Sequence, residues 1–244
     1  MCLYGLIGYP LTHSFSKKYF TEKFEREGLS PAYGYELFPI PDINGLPAVI
    51  DSHPELAGLN VTIPYKEQVL AYLGDADTSV KQIGACNCIR IDNGRLKGYN
   101  TDVTGFHQTL LQKWQPSHNK ALILGTGGAA KAVQWVLAQI GIPYQNVSRK
   151  AGAGNLSYSM LTPEDIAAHP LIINTTPLGM YPAADTAPLI PYEGIMPGHY
   201  LYDLVYNPAT TLFLQKGQER GATIQNGAAM LVIQAEESWK IWQA

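Results

Sequence analysis

The chain has 244 residues, of which 46% are hydrophobic and 15% are charged, proportions typical of a soluble globular protein with one large or two small domains. Its formal net charge of −3 argues against binding to nucleic acid or to a membrane surface. No apolar run approaches the roughly 20 residues needed to cross a bilayer, and residues 1–7 lack the features of a signal peptide, so we expect a cytoplasmic protein.

The first hundred residues alternate strand-like and helix-like segments. Apolar patterning predicts a strand over residues 3–9, a helix over residues 15–28, and strands over residues 32–38 and 56–63. A further helix is expected after Pro64. This alternation predicts an α/β domain.

A hairpin and another helix complete this first domain. Residues 86–91 and 95–98 bracket Asp92-Asn93-Gly94, a strong hairpin signal. Thr101 or Asp102 is expected to cap a helix over residues 103–114. The polar residues 115–119 then form a candidate link out of the domain.

The three cysteines, Cys2, Cys86 and Cys88, form neither a disulfide framework nor a zinc-binding set. Cys86 and Cys88 alternate on one strand, which allows a thiol pair, but small buried hydrophobic residues are the commoner use. We expect no metal site.

Residues 121–150 predict a β-α-β unit that holds a dinucleotide. A short apolar run precedes the loop Gly125-Thr126-Gly127-Gly128-Ala129-Ala130, and apolar residues at helical spacing follow it. Gly125 allows the tight turn, Gly127 lets the backbone approach a pyrophosphate and Ala130 permits close helix-strand packing. A glycine-rich loop alone is a weak signal, but this context favours a cofactor site over a plain turn.

The residues after the second strand of this unit favour NADP over NAD. An NAD site usually has an acidic residue about 20 positions past the loop, where it binds the adenosine ribose. No carboxylate occurs from Val103 to Pro163, and Ser148-Arg149-Lys150 takes the place of the acid. Two cations and a hydroxyl suit the extra 2′-phosphate of NADP. A solvated basic turn is the alternative interpretation.

The rest of the chain predicts strands over residues 171–174 and 200–205 and a helix over residues 210–219. Residues 228–242 are also helical in pattern. We expect this last helix to return to the first domain.

Several polar residues of the first domain lie where predicted strands end or helices begin. Asn60 and Thr62 lie on one face of a strand end and Lys66 at the start of the next helix. The others are Asn87, Asn100-Thr101-Asp102 and Ser14-Phe15-Ser16. Hydroxyls and amides are poor metal ligands, but they suit a ligand with several hydroxyls and a carboxylate. Each residue taken singly is more often a cap, a turn residue or a solvated side chain.

Eight motifs in order give the chain a resemblance to the shikimate dehydrogenase family over nearly its whole length. They are His13-Ser14-Phe15-Ser16, Asn60-Val61-Thr62-Ile63-Pro64-Tyr65-Lys66, Gly84-Ala85-Cys86-Asn87, Gly98-Tyr99-Asn100-Thr101-Asp102, Gly125-Thr126-Gly127-Gly128-Ala129, Asn174-Thr175-Thr176-Pro177-Leu178-Gly179-Met180, Tyr202-Asp203-Leu204-Val205-Tyr206-Asn207-Pro208, and Asn226-Gly227 ahead of Met230-Leu231 and Gln234-Ala235.

This resemblance implies the fold and the reaction. Residues 1–101 and 227–244 would form a substrate-binding and catalytic α/β domain, and residues 102–226 a Rossmann-type NADP-binding domain. The implied reaction is the reversible NADPH-dependent reduction of 3-dehydroshikimate to shikimate, a step of chorismate and aromatic amino-acid biosynthesis. The implied partners are small molecules, and the implied state is a monomer or a homodimer.

The resemblance also implies roles for individual residues. Lys66 and Asp102 match the catalytic pair, and both are expected to contact the substrate. Ser14 and Ser16 resemble the pair that holds the substrate carboxylate. The other expected substrate-binding residues are Asn60, Thr62, Asn87, Tyr206 and Gln234. The expected cofactor-binding residues are Gly125, Thr126, Gly127, Gly128, Ala129, Ser148, Arg149, Lys150, Thr175, Leu204 and Gly227.

The sequence also fits two alternative functions. The first is a quinate/shikimate dehydrogenase that uses NAD, against which Ser148-Arg149-Lys150 and the Ser14/Ser16 pair weigh. The second is a non-catalytic sensor of ligand and nucleotide, which has no need of the proton donor that Lys66 provides.

Overall fold

The computed structural model describes residues 1–11, 14–152 and 154–244. These residues divide into two compact units, residues 1–104 with 232–244 and residues 105–231. The return of the C-terminal helix to the first unit is thereby confirmed. The functional assignment of residues 1–101 with 227–244, and of residues 102–226, stays a prediction.

The first unit contains a mixed six-stranded sheet. Its strands are β1 (Cys2–Gly8), β2 (Tyr33–Pro39), β3 (Leu56–Val61), β4 (Asp75–Ala76), β5 (Cys88–Asp92) and β6 (Arg95–Tyr99). Their order across the sheet is β2-β1-β3-β5-β6-β4. β1, β2 and β3 are parallel, whereas β5 is antiparallel to both β3 and β6. The helices are α1 (Phe15–Arg26), α2 (Leu46–Ser52), α3 (Thr78–Ile83), the start of α4 (Asp102–Leu111) and the end of the last helix.

Apolar side chains cover both faces of this sheet because they alternate along its strands. Leu3 and Ile7 pack into a cluster with Leu46 of α2. Tyr4 packs on the other side with Phe20 of α1 and other aromatic residues. The predicted hairpin is confirmed, since β5 and β6 pair around a turn in which Asn93 (φ 49°) and Gly94 (φ 75°) have the left-handed conformations of a type I′ turn.

The segment after Pro64 differs from the prediction. Residues 63–67 form turns, and a 3₁₀ helix follows at Gln68–Tyr72, so Lys66 lies in a turn and not at a helix start. The Tyr65 N–H donates back to the Thr62 carbonyl at 2.9 Å, and the Lys66 carbonyl accepts from the Cys86 N–H at 2.7 Å. The bond from Cys86 anchors the Lys66 backbone to the segment before β5. In an α-helix the Lys66 carbonyl would instead accept from the N–H four residues later.

The second unit contains a sheet in which every strand pair is parallel. Its strands are β7 (Ala121–Leu124), β8 (Tyr144–Ser148), β9 (Asn155–Ser157), β10 (Leu171–Asn174), β11 (Tyr200–Asp203) and β12 (Thr223–Gln225), in the order β12-β11-β10-β7-β8-β9. The helices are the rest of α4, α5 (Gly128–Gln139), α6 (Pro163–Ala167), α7 (Leu212–Gln218) and the start of α8 (Ala228–Gln243). The strand order reverses between β7 and β10, as in doubly wound dinucleotide-binding folds, so the predicted Rossmann-type fold is confirmed.

Residues 115–119 are part of the second unit, so the prediction that they link two domains is wrong. His118 is buried, its Nδ1 accepts from the Gln115 N–H at 3.0 Å, and its carbonyl accepts from Trp114 Nε1 at 3.1 Å. The polar residues 115–119 form a packed turn, and the boundary between the two units lies within α4. Among the described residues, no helix has the length and apolar character that crossing a membrane requires.

Candidate active site

Lys66 and Asp102 form an ion pair in the first unit. Lys66 Nζ lies 2.6 Å from Asp102 Oδ2, and the two side chains are only 16% and 9% exposed. The turn after β3 carries Lys66, and Asp102 is the first residue of α4. Low exposure strengthens the attraction between the two charges. The structure therefore brings the two predicted catalytic residues into direct contact.

Asn87 holds the second carboxylate oxygen of this pair. Its Nδ2 donates to Asp102 Oδ1 at 2.9 Å and to Thr101 Oγ1 at 3.0 Å, while its Oδ1 accepts from the Thr101 N–H at 2.7 Å. Asn87 is buried. With Lys66 on Oδ2 and Asn87 on Oδ1, both oxygens of Asp102 are engaged and the carboxylate orientation is defined.

Helix α8 contributes Gln234 to the same group of side chains. Thr101 Oγ1 lies 3.4 Å from Gln234 Oε1 and 3.3 Å from Ser238 Oγ. Gln234 and Ser238 are one helical turn apart, so both project from the same side of α8. Residues far apart in sequence are thus adjacent beside the Lys66–Asp102 pair.

Asn60 lies at the end of β3 and is buried. Its Oδ1 accepts from the Tyr35 hydroxyl at 2.8 Å, and its Nδ2 donates to Ser238 Oγ at 3.0 Å and to the Asn87 carbonyl at 3.4 Å. Both N–H groups of the amide therefore have partners within the protein. The substrate contact expected of Asn60 stays a prediction.

The predicted carboxylate-binding serines lie at the start of α1. Ser14 is the N-cap residue, and its Oγ accepts from the Lys17 N–H at 3.2 Å, so the capping role that the sequence suggested is present. Ser16, the second residue of α1, is half-buried. Two hydroxyls at a helix N-terminus suit an anion. Thr12 and His13 lie outside the described residues.

Thr62 and Tyr206 complete the predicted substrate-binding set. Thr62 is half-buried just beyond β3, and its N–H donates to the Ile7 carbonyl at 3.0 Å. A side chain at Gly8 would come within 2.4 Å of Thr62 Cγ2, so only glycine leaves room there. Tyr206 belongs to the second unit, where burial raises the pKa of its hydroxyl. The substrate contact expected of Tyr206 stays a prediction.

The predicted dinucleotide loop follows β7 in the second unit. Gly125 has a φ of +118°, and a Cβ there would lie 2.5 Å from Thr175 Oγ1. Gly127 is the N-cap residue of α5, with no side chain capping the helix, and Ala130 is fully buried. This arrangement fits a pyrophosphate, because the N–H groups at the start of α5 have no side-chain cap and open space lies where a Cβ at Gly127 would be.

Two neighbouring strand ends carry the other predicted cofactor residues. Thr175 follows β10, and its N–H and Oγ1 both donate to the Leu124 carbonyl, at 2.9 and 2.8 Å. Leu204 follows β11, and a Cβ at Gly227 would lie 2.1 Å from the Leu204 carbonyl oxygen. Gly227 is therefore required by close backbone approach. Both positions are at the carboxyl ends of parallel strands, where such folds bind ligands.

The predicted 2′-phosphate residues are at the end of β8. The Ser148 hydroxyl donates to the Lys150 carbonyl, and Arg149 and Lys150 are exposed. No ion pair between described residues includes either cation. Exposed cations at this position fit a phosphate. Among the described residues, no cluster of three His, Cys, Asp or Glu side chains could hold a metal ion.

Sequence reasoning missed Tyr35 and Ser238 and treated Thr101 mainly as a cap. One signal was available, since Ser238 lies four residues after Gln234 on the same helix face. Tyr35 lies within an ordinary apolar strand, and no local pattern distinguishes its hydroxyl.

Comparisons with known proteins cover both units. A model of the shikimate dehydrogenase substrate binding domain matches residues 6–89. The shikimate dehydrogenase (NADP(+)) of Methanococcus maripaludis is 36% identical over 256 residues, covering 98% of this chain and 91% of that protein.

Solved structures are similar over the same extent. Shikimate 5-dehydrogenase from Thermus thermophilus, in complex with NADP(H) and shikimate, has a TM-score of 0.87 and 29% identity, covering 99% of this chain and 93% of that one. Ligand-free 5-ketofructose reductase of Gluconobacter sp. strain CHM43 has a TM-score of 0.82 and 28% identity, covering 99% and 92%. Because the sequence similarity spans nearly the whole chain, this protein belongs to the shikimate dehydrogenase family.

Proposed function

We propose that this protein catalyses the reversible NADP-dependent reduction of 3-dehydroshikimate to shikimate, as an oxidoreductase acting on a CH–OH group in chorismate and aromatic amino-acid biosynthesis. The observation that carries the proposal is the Lys66–Asp102 pair, 2.6 Å apart and held by Asn87. The names of relatives such as the Methanococcus maripaludis enzyme, a shikimate dehydrogenase (NADP(+)), support it.

Lys66 provides the proton chemistry in this proposal. NADPH, when bound, supplies the hydride. Negative charge then develops on the carbonyl oxygen of the substrate, and the Lys66 ammonium stabilises and protonates that oxygen. In the oxidation direction the neutral amine accepts the proton of the hydroxyl.

Asp102 orients Lys66 and accepts a hydrogen bond from a neighbouring substrate hydroxyl. Its orientation is defined by Asn87, which donates to Asp102 Oδ1 at 2.9 Å. A carboxylate held in this way keeps the ammonium within a narrow range of positions, which is a large part of catalysis by proximity.

The remaining polar residues recognise the substrate. Ser14 and Ser16 at the start of α1 would bind the carboxylate, because hydroxyls and a helix N-terminus both favour an anion. The ring hydroxyls would be recognised by Thr62, Asn87, Gln234 and Tyr206. The cofactor phosphates would be bound by the loop at 125–129, and the 2′-phosphate by residues 148–150.

The test is an assay of the purified protein with shikimate and with quinate, each with NADP⁺ and with NAD⁺. We expect the highest kcat/KM for shikimate with NADP⁺. A preference for quinate with NAD⁺ would favour the alternative dehydrogenase. Binding of both ligands without turnover would indicate a sensor. Reduction of 5-ketofructose, the substrate named for the Gluconobacter structure, should be far slower than the reduction of 3-dehydroshikimate.

We further infer a monomer or a homodimer in the cytoplasm with small molecules as partners. The three cysteines are free thiols, which fits a reducing compartment. Light scattering after size-exclusion chromatography would measure the oligomeric state, and cell fractionation the location.

A further inference from the structure

A second group of buried polar side chains is hydrogen-bonded to Asn87 and Thr101, next to the Lys66–Asp102 pair. Tyr35 on β2, Asn60 on β3 and Ser238 on α8 are respectively 2%, 4% and 0% exposed. A buried hydroxyl or amide is costly unless it is hydrogen-bonded. These three satisfy one another, since Tyr35 donates to Asn60 Oδ1 and Asn60 Nδ2 donates to Ser238 Oγ.

The Asn60 amide has a single orientation in this arrangement. Its Oδ1 faces the Tyr35 hydroxyl at 2.8 Å, and its Nδ2 faces Ser238 Oγ at 3.0 Å and the Asn87 carbonyl at 3.4 Å. Ser238 also donates to the Gln234 carbonyl at 2.9 Å. A rotated amide would place Oδ1 beside the Asn87 carbonyl oxygen, which already accepts from the Val61 N–H at 2.9 Å and cannot donate, so two acceptors would face each other.

This group reaches the predicted catalytic pair by two routes. Ser238 Oγ lies 3.3 Å from Thr101 Oγ1, which accepts from Asn87 Nδ2 at 3.0 Å. The Asn60 amide also donates to the Asn87 carbonyl at 3.4 Å, and the Asn87 side chain holds Asp102. The hydrogen bonds thus form a continuous buried chain from Tyr35 to the Lys66–Asp102 pair.

We propose that Tyr35 and Ser238 are positioning residues that act through the Asn60 amide, so that Asn87 and the catalytic pair that it holds keep a defined position. This inference rests on the proposed function and deepens it. Asn60 in this view aligns Asn87 and does not itself need to contact the substrate. Small displacements of a catalytic group lower rates steeply. The hydrogen bonds of Tyr35 and Ser238 to Asn60 therefore affect turnover even though neither residue contacts the catalytic pair directly.

The test is a double-mutant cycle with Tyr35→Phe, Ser238→Ala and the double variant, assayed with shikimate and NADP⁺. Each single substitution removes one of the bonds that orient Asn60, and we expect each to lower kcat/KM for shikimate by about tenfold. Because both act through one amide, the double variant should lose about tenfold to twentyfold, well short of the product of the single effects. The KM for NADP⁺ should not change.

Two results would overturn the proposal: single variants with the wild-type kcat/KM, or a double variant whose loss equals the product, about a hundredfold. Ser238→Cys keeps the side-chain volume with a weaker hydrogen bond and should give an intermediate kcat/KM. It replaces Ser238→Ala in the cycle if that variant does not fold. An absence of turnover in the wild-type protein would contradict the proposed function, whereas wild-type turnover with multiplicative variants contradicts only this inference.

Thr109→Val is the matched control. Thr109 is a fully buried residue of the second unit, and its Oγ1 bonds to the Gly105 carbonyl at 2.7 Å and the Tyr202 hydroxyl at 2.6 Å. Loss of the Thr109 hydroxyl in Thr109→Val should lower the melting temperature as much as Ser238→Ala does. It should leave kcat/KM for shikimate unchanged. An equal fall in kcat/KM would attribute the Ser238 effect to general destabilisation and would overturn the proposal.

Discussion

Each of the two units buries an aspartate at an end of a helix or strand, and the two carboxylates have different partners. Asp102, at the start of α4, contacts the Lys66 ammonium and the Asn87 amide. Asp203, at the end of β11, is fully buried and accepts from the side chains of Asn174 and Thr211 and from the Val205 N–H. A carboxylate paired with an ammonium group, such as Asp102, suits proton chemistry. A carboxylate with only neutral donors, such as Asp203, connects the chain segments that carry those donors.

The two units also form their predicted sites from different parts of the chain. In the first unit the predicted site consists of side chains that bond to one another. In the second it consists largely of backbone, with glycines at 125 and 227 where a side chain would collide. Substitutions should therefore impair chemistry in the first unit and cofactor binding or stability in the second.

The largest effect is expected for Lys66→Ala, which removes the proposed proton donor. We expect kcat to fall by about a thousandfold, as for loss of a general acid, while the KM for shikimate changes little. Steady-state kinetics measures both. Lys97→Ala is the control, because Lys97 is a half-exposed cation paired with Asp75 at 3.4 Å and should retain full activity. A large loss of shikimate affinity at normal kcat would make Lys66 a binding residue.

Asp203→Asn should change how stability depends on pH. Burial raises the pKa of Asp203 to about 6 from an ordinary 3.8, although its hydrogen bonds act in the opposite direction. The folded state therefore favours the protonated acid. The stabilisation that this preference gives to the folded state is present below pH 4 and is lost as the pH rises through 6. Relative to Asp203→Asn, the wild-type free energy of unfolding should fall by about 2 kcal/mol between pH 4 and pH 7.

Urea unfolding of the wild-type protein and of Asp203→Asn at intervals from pH 4 to pH 7 measures this difference. Other titrating groups are common to both proteins and cancel. A difference in unfolding free energy that does not vary with pH would contradict the raised pKa.

Gly125→Ala should destabilise the second unit by about 2 kcal/mol, because alanine is strained at a φ of +118° and its Cβ would collide with Thr175. Thermal unfolding measures this. Gly127→Ala is the matched control, since Gly127 has a φ of −80° and open space where the Cβ would lie. It should leave stability unchanged and raise the KM for NADP⁺. Equal stability losses in both variants would show that the collision is unimportant.

The smallest effect is expected for Arg149→Ala, which removes one of two exposed cations at the end of β8. Loss of a charge-assisted bond to the 2′-phosphate should raise the KM for NADP⁺ by about tenfold, with little change in the KM for NAD⁺. Arg95→Ala, on β6 of the first unit, should change neither value. Equal increases for both cofactors would contradict the 2′-phosphate assignment.

Local patterns predicted most of the fold. β7 and β10 have the predicted bounds, because parallel strands buried on both faces appear as continuous apolar runs. The turn after β3 was not predicted, since its geometry depends on the bond between Lys66 and Cys86, which are 20 residues apart. Residues 115–119 looked like a linker, because turns and linkers share a polar composition.

The sequence by itself determined the family, the doubly wound sheet and the candidate cofactor loop. The family resemblance rests on eight ordered motifs, whereas the β-α-β unit and its loop follow from apolar periodicity and from glycines whose steric role is local. Only the tertiary structure decided which polar side chains meet. Asn60 and Ser238 are 178 residues apart in the chain, yet they share a hydrogen bond. Such a bond is specified by how β3 and α8 pack, and a buried hydroxyl has no sequence pattern that identifies its partner.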